Sequence, residues 1–266
     1  MSDFAIVIPS RRRTELAARA FDLFGGDDTG LARVVVDERE FADYAQVIPK
    51  DRIVCHPGLS GIGPIRGWIA STFDEHVLLM ADDDVSHLWY NAELYGRRIE
   101  GIDNILRVIE NAANVTCDLG LHVFGFCQAW DTRKFNPTKP FAVSTWAGGG
   151  IGLVGRDPRV RFSANRLRWD IDYCLQSLLV HRIVWVDNRY SFVHQRFGLA
   201  GGNSANRSKA KDEAEIEYLL RRWGRYLRIT YTDTAIRLRV IVPRGCRIAL
   251  AEVGKGRRAR RRRSQT

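Results

Sequence analysis

The sequence predicts an α/β fold on a mostly parallel central sheet. Strand and helix signals alternate through the first half of the chain, the pattern of a parallel sheet with helices on its faces. With 266 residues, 45% of them hydrophobic and 10% aromatic, the chain can bury one large core. No apolar run approaches the roughly 20 residues of a membrane-spanning helix. The N-terminus, MSDFAIVIPS, has an early acid and a short apolar run, so it does not read as a signal peptide, and a cytoplasmic location is the default expectation.

FAIVIP (Phe4 to Pro9) reads as the first strand, followed by a helix near Thr14 to Phe24, capped by Thr14 and stopped by Gly25 and Gly26. ARVVVD (Ala32 to Asp37) and RIVCH (Arg52 to His56) are the next strands, with a helical pattern around Phe41 to Val47 between them. In HPGLSGIGPIRGWIAS a short helix starts near Pro64, which suits a first turn. HVLLMA (His76 to Ala81) is the most apolar strand, and it runs directly into Asp82, Asp83 and Asp84.

Three adjacent carboxylates repel one another unless something positive sits among them. The triplet therefore reads either as a hydrated turn or as a seat for Mg²⁺ or Mn²⁺, which prefer oxygen ligands. Alternate side chains of an extended chain share a face, so Asp82 and Asp84 can cooperate while Asp83 points elsewhere. The carboxyl edge of an open α/β sheet is where ligands bind.

The second half changes texture. Ile99 to Val115 is an amphipathic helix, LHVFGFCQAW reads as strand, and WAGGGIGLVG (Trp146 to Gly155) is a glycine-rich passage that admits close backbone approach. RWDIDYCLQSLLV (Arg168 to Val180) opens a helix with Asp170 and Asp172, and HRIVWVDNRYSFV reads as one strand. A mobile loop is expected from His194 through Gly198, Gly201 and Gly202, then a helix near Asp212 to Leu227 and a strand TAIRLRVIV. Spaced i, i+2 on a helix, Asp170 and Asp172 project about 200° apart and do not face one acceptor together. Either acid reads as a general base or as charge complementing a helix N-terminus. GLSGIGP lacks the ending of a P-loop and the helix-opening glycines of a dinucleotide fold.

The five cysteines are odd in number and scattered, without metal-ligand spacing, and are expected to be reduced core residues. The formal charge is +10, and seven basic residues fall between Lys255 and Arg263. Such a tail reads as disordered, either binding phosphates through counterion release or simply solvated.

The ordered landmarks IVIPSRRR, Asp37, GLSGIGPIRGWIAS, MADDDV and WDIDY resemble those of inverting family-two glycosyltransferases of the GT-A type, over roughly Phe4 to His194. The resemblance implies a Rossmann-like GT-A fold with a smaller antiparallel acceptor-side portion. It forms one domain over 1–253, with a nucleotide-sugar half (1–90), an acceptor-side half (91–253) and a disordered basic tail (254–266). It implies a nucleotide-sugar donor, a UDP-sugar by the family's habit, with Pro9, Arg11 and Asp37 around the nucleoside and Arg66 near the donor. Asp82 and Asp83 belong to the cluster on the diphosphate. Asp82, Asp84 and the late His194 would hold Mn²⁺ or Mg²⁺, although His194 alone reads equally as a satisfied histidine. WDIDY falls where the family has its base, favouring Asp170 over Asp172.

The IPSRRR opening and arginine-rich tail are similar to the TET-associated glycosyltransferases of bacteriophages. That implies a hydroxymethylated pyrimidine, 5-hydroxymethylcytosine, in DNA as acceptor, and the host cytoplasm as location. Arg156, Arg159, Arg161, Arg166 and Arg168 would then hold phosphates. Trp146 and Trp169 would stack on a base, cradle a sugar or pack in the core. A cell-envelope or protein acceptor, and a non-catalytic nucleic-acid binder on the same fold, are the alternatives.

Overall fold

The first strand, β1 (Phe4–Pro9), is buried along its whole length. Its sequence is therefore a continuous apolar run, as expected of a parallel strand covered on both faces. The computed structural model describes residues 3–128, 131–163, 167–195, 209–231 and 236–242. Arg166, Cys246, the loop glycines Gly198, Gly201 and Gly202, and the basic tail lie outside the described residues.

After β1 come α1 (Thr14–Leu23), β2 (Ala32–Asp37), the short α2 (Phe41–Tyr44), β3 (Ile53–His56), α3 (Ile62–Thr72) and β4 (Val77–Ala81). The four strands pair in the order β3-β2-β1-β4, all parallel. Thr14 does not cap α1. It is the first helical residue, Arg13 holds the cap position, and no side-chain cap bond forms. Gly25 and Gly26 end the helix as expected, both at positive φ.

The chain continues through β5 (Val85–Tyr90), β6 (Arg97–Arg98), α4 (Ile102–Asp118), β7 (Val123–Phe126), β8 (Phe141–Ala142) and β9 (Gly150–Val154). There follow α5 (Trp169–His181), β10 (Trp185–Asp187), β11 (Tyr190–His194), α6 (Lys209–Trp223), β12 (Leu227–Tyr231) and β13 (Ile236–Val240). The main sheet has eight strands in the order β3-β2-β1-β4-β9-β7-β10-β8. β9 is antiparallel to both of its neighbours. A second sheet, β11-β5-β6, and the β12-β13 ribbon are antiparallel.

Four sequence expectations are corrected. The glycine-rich passage contains β9, at the centre of the main sheet. Its Gly152 lies under Phe124, whose ring would stand 2.1 Å from any Cβ there, so close packing, not weak strand propensity, explains the glycine. HRIVWVDNRYSFV is not one strand, because Asp187 turns the chain by accepting from the backbone N–H of Arg189, and β10 and β11 enter different sheets. The predicted last helix ends at Trp223, and the alternation LRITY becomes β12. Finally, of the four described cysteines, none in a disulfide, Cys174 is buried but Cys117 is exposed and Cys55 and Cys127 are half-buried.

Two hydrophobic layers sandwich the main sheet. Phe21 of α1, Phe24 at its C-terminal end, and Ile105 and Ile109 of α4 pack on one face, with Ile69, Leu175 and Leu178 of α3 and α5 on the other. Both helical layers leave the carboxyl edge of β1 to β4 open for the loops that follow.

Candidate active site

The turn after β4 sends its three aspartates in different directions. Asp84 approaches His194, whose Nδ1 lies 2.8 Å from Asp84 Oδ1. Where Nδ1 donates to the Asp84 carboxylate, a neutral ring keeps its lone pair on Nε2. β5 and β11 enforce the encounter: they are antiparallel partners, and the bulge between Val193 and His194 sets His194 opposite Val85. Asp82, Asp84 and His194 each offer a ligand atom, and the three atoms lie within 4.8 Å of one another. Two carboxylates and a neutral imidazole suit Mn²⁺ or Mg²⁺ chemically. A second observation fits a cation here. Gly149 has φ +76, and a Cβ at this position would lie 2.3 Å from His194 Nε2, so glycine keeps the space before the lone pair open.

Asp83 turns inward. It accepts from Ser10 Oγ at 2.7 Å and from Arg13 Nη1 at 3.2 Å, and Ser10 Oγ also bonds the Tyr44 hydroxyl at 2.7 Å. Burial pushes the Asp83 carboxyl up to about 6, against the pull of Ser10 and Arg13. It ties the aspartate turn to the loop after β1 and to α2, and does not stand with the cation cluster.

Arg66 is fully buried. It donates to the Met80 carbonyl at 2.9 Å and to Asp82, and its guanidinium lies 4.1 Å from the Trp169 ring centre. It supports the aspartate turn from beneath, so its partners are protein atoms and not open donor space. Burial lowers its pKa, and Asp82 and then Asp170 oppose that shift.

At the adjacent sheet edge Pro9, Asp37 and His56 end β1, β2 and β3. Asp37 is held in a fork by Arg39, at 2.8 Å to Nε and 2.6 Å to Nη2. That bond keeps its carboxyl well below the usual range. Arg11 is exposed on the loop after β1, and its charge is felt at His56. His56 was not singled out in the sequence, although its place at a strand's carboxyl end matches that of Asp37. Its ring is buried and accepts from the Leu59 N–H at 3.1 Å.

Asp170 and Asp172 separate as the helical spacing predicts. Asp172 is fully buried and accepts from Trp223 Nε1 at 2.6 Å and Gln176 Nε2 at 3.1 Å, with Arg222 at 3.4 Å. It anchors α6 and faces away from the aspartate turn. Asp170 faces the glycine passage: its Oδ2 would lie 3.1 Å from a Cβ on Gly148. Burial raises its carboxyl to about 6, offset by the Ile171 N–H and the charges of Arg168 and Arg66. Gly148 and Gly149 thus thread between Asp170 on one side and His194 on the other. Gln128 also borders Gly148 and donates to the Trp146 carbonyl at 3.2 Å; nothing in the sequence marked it.

Trp169 takes the core-packing alternative, and the described arginines before α5 turn to protein partners. Trp169 is buried between Arg66 and Phe162 and has no face left for a base. Of the five arginines before α5, the four described have protein partners: Arg156 the carbonyls of Ala70, Phe73 and Glu75, Arg159 Asp157, Arg161 the Pro158 carbonyl and Arg168 Asp212. They brace loops and helices and are not a phosphate rail.

The profile of the TET-Associated Glycosyltransferase family matches residues 4–202, a segment that contains the aspartate turn, His194 and Asp170. The chain belongs to the TET-associated glycosyltransferase family. It is a glycosyltransferase, built as an α/β fold on a mostly parallel central sheet. No curated protein sequence matches this glycosyltransferase significantly. Among solved structures it is similar to a mycobacterial protein, at 12% identity and TM-score 0.50, covering 89% of this chain and 83% of that one. Glucosyl-3-phosphoglycerate synthase from Mycobacterium tuberculosis, in complex with Mg²⁺ and uridine diphosphate, is 11% identical with TM-score 0.49, over 89% and 86%. Residues 1–349 of S. aureus TarS are 11% identical with TM-score 0.46, over 72% and 60%. Among the described residues no helix is long and apolar enough to cross a membrane.

Proposed function

We propose that this glycosyltransferase moves a sugar from a nucleotide-sugar donor, in the family's manner a UDP-sugar, to the hydroxyl of 5-hydroxymethylcytosine in DNA by inverting displacement. The observation that carries the reading is the pairing of the Asp82, Asp84 and His194 cluster with Asp170 across Gly148 and Gly149. Family membership supports the transfer chemistry, and the family's name points toward a base oxidised in DNA.

Asp82, Asp84 and His194 would hold Mn²⁺ or Mg²⁺, which when bound neutralises charge developing on a departing diphosphate. Pro9, Arg11 and Asp37 border the space for the nucleoside, with Arg39 locking Asp37 in place. Arg66 fixes Asp82 from below, and Asp83 fixes the turn to β1. Asp170 takes the proton of the acceptor hydroxyl as that oxygen attacks the anomeric carbon. A carboxyl near 6 is ionised at neutral pH and still basic enough to receive it. Asp172 has no part in the chemistry.

The test is to incubate the protein with Mn²⁺, a pool of sugar nucleotides and DNA containing 5-hydroxymethylcytosine, and to examine the digested nucleosides by mass spectrometry. A hexose- or hexosamine-sized increase on the modified base is expected. Metal-dependent donor hydrolysis with no mass increase would move the acceptor to a cell-envelope or protein hydroxyl.

A further inference from the structure

The basic charge of this chain is segregated. Residues 221–266 hold 15 of its 41 Lys and Arg but only two of its 31 Asp and Glu, so the first 220 residues are net acidic. Part of that charge is folded. In the β12-β13 ribbon Arg228 stands directly opposite Arg239, and both are exposed. Like charges directly across a sheet destabilise it, and among the described residues neither arginine has a carboxylate partner. Arg225, just before β12, is also exposed, lying 4.6 Å over the Tyr226 ring. The other side of the ribbon is apolar, with Leu227 and Val240 buried against the core.

Arg239 also lines a cleft of about 580 Å³, together with Val240, Ile241 and Val242 on one wall and Ser144, Thr145 and Trp146 on the other. Trp146 is two residues from Gly148, against which Asp170 lies. Ala147 between them is pinned to α5 by its N–H donating to Cys174 Sγ at 3.3 Å. A cleft with an indole, two hydroxyls and a guanidinium, opening beside arginines that hold no carboxylate among the described residues, has the chemistry of a site for a base and its flanking phosphates.

We infer that the β12-β13 ribbon is a phosphodiester-docking surface, with Arg228 and Arg239 contacting the backbone of the DNA whose modified base enters the cleft toward Asp170. This rests on the acceptor reading above, and it locates the phosphate contacts, Arg228 and Arg239, outside residues 4–202 that match the family. Among the described residues the arginines that precede α5 are spent on the protein's own carbonyls and carboxylates, whereas Arg228 and Arg239 are not.

The test is fluorescence anisotropy of a labelled duplex containing 5-hydroxymethylcytosine, titrated with the full chain at several salt concentrations. Wild type is compared with Arg228→Glu/Arg239→Glu and with Arg19→Glu/Arg107→Glu, an equal charge reversal at exposed helix positions of α1 and α4. The circular dichroism of each variant checks its fold. The ribbon variant is expected to bind at least about tenfold more weakly, with a log–log salt slope smaller by roughly two, one for each phosphate that is no longer neutralised. The control is expected to stay within about threefold. Equal weakening in both variants, or none in the ribbon variant, would overturn the docking surface while leaving the DNA acceptor intact. If wild type ignores DNA but partitions onto vesicles of anionic phospholipid through Arg228 and Arg239, the surface is a lipid contact and both readings fall. If wild type binds neither, the docking surface falls, and mass spectrometry of the nucleosides alone decides the acceptor.

Discussion

At the scale of the residue, Gly149 and Asp170 make the sharpest demands. A methyl group at 149 must adopt φ +76 and meets His194 Nε2 at 2.3 Å, so Gly149→Ala carries backbone strain of about 1–3 kcal/mol and fills the space before the imidazole lone pair. Mn²⁺ affinity, read by titration calorimetry, is expected to fall at least about tenfold. As the proposed base, Asp170 sets the expected pH response. Burial raises its carboxyl to about 6, and a base works only when ionised, so kcat/KM should climb with pH through about 6 and level off above. A profile that is flat from pH 5 to 7 would remove Asp170 from the role.

Much of this was legible in the sequence, for a physical reason. Asp82, Asp84 and His194 sit at strand ends, and strand ends are what patterning locates. The roles of Asp83 and Arg66 were not legible, because which way a side chain turns at a crowded edge depends on Ser10, Arg13 and Trp169, far away in the chain. Nor could composition distinguish Arg159, paired with Asp157, from a free cation.

At the scale of the element, the packing of α5 against α6 holds the proposed base in place. Asp172 receives Trp223 and Arg222 from α6, Arg168 pairs with Asp212 at 2.7 Å, and Glu215 accepts the Leu167 and Arg168 N–H groups ahead of α5. Asp172→Ala leaves the half-buried Trp223 indole N–H without its acceptor, while the exposed Arg222 guanidinium turns to water and the Tyr218 hydroxyl. The expected cost is about 1–3 kcal/mol, that of a polar group deprived of its partner, read as a fall in the urea midpoint with the slope unchanged. A variant as stable as wild type would show that this junction does not hold α6. The strands that patterning missed have particular causes: β9 is glycine-rich where Phe124 covers it, and β5 follows a charged turn so closely that VSHLWY is not set off by any break.

At the scale of the whole molecule, the parallel half β3-β2-β1-β4 was readable because fully buried strands are unbroken apolar runs. The antiparallel additions were harder, since their pairing depends on partners far apart in the chain, as in β5 with β11. The two halves meet at the aspartate turn, where β4 delivers Asp82 and β11 delivers His194, while α5 carries Asp170 up to the glycine passage from the other side. In the proposed reading the labour is divided between a cluster suited to a cation and the raised carboxyl of Asp170.

The most direct test of that division is Asp170→Asn, with UDP binding in the presence of Mn²⁺ followed by calorimetry and sugar transfer followed by nucleoside mass spectrometry. The variant is expected to bind UDP and Mn²⁺ within about threefold of wild type and to transfer at least about a hundredfold more slowly, the scale of a missing general base. Transfer that survives within about tenfold would contradict the assignment of Asp170 and return the search for the base to the rest of the cleft.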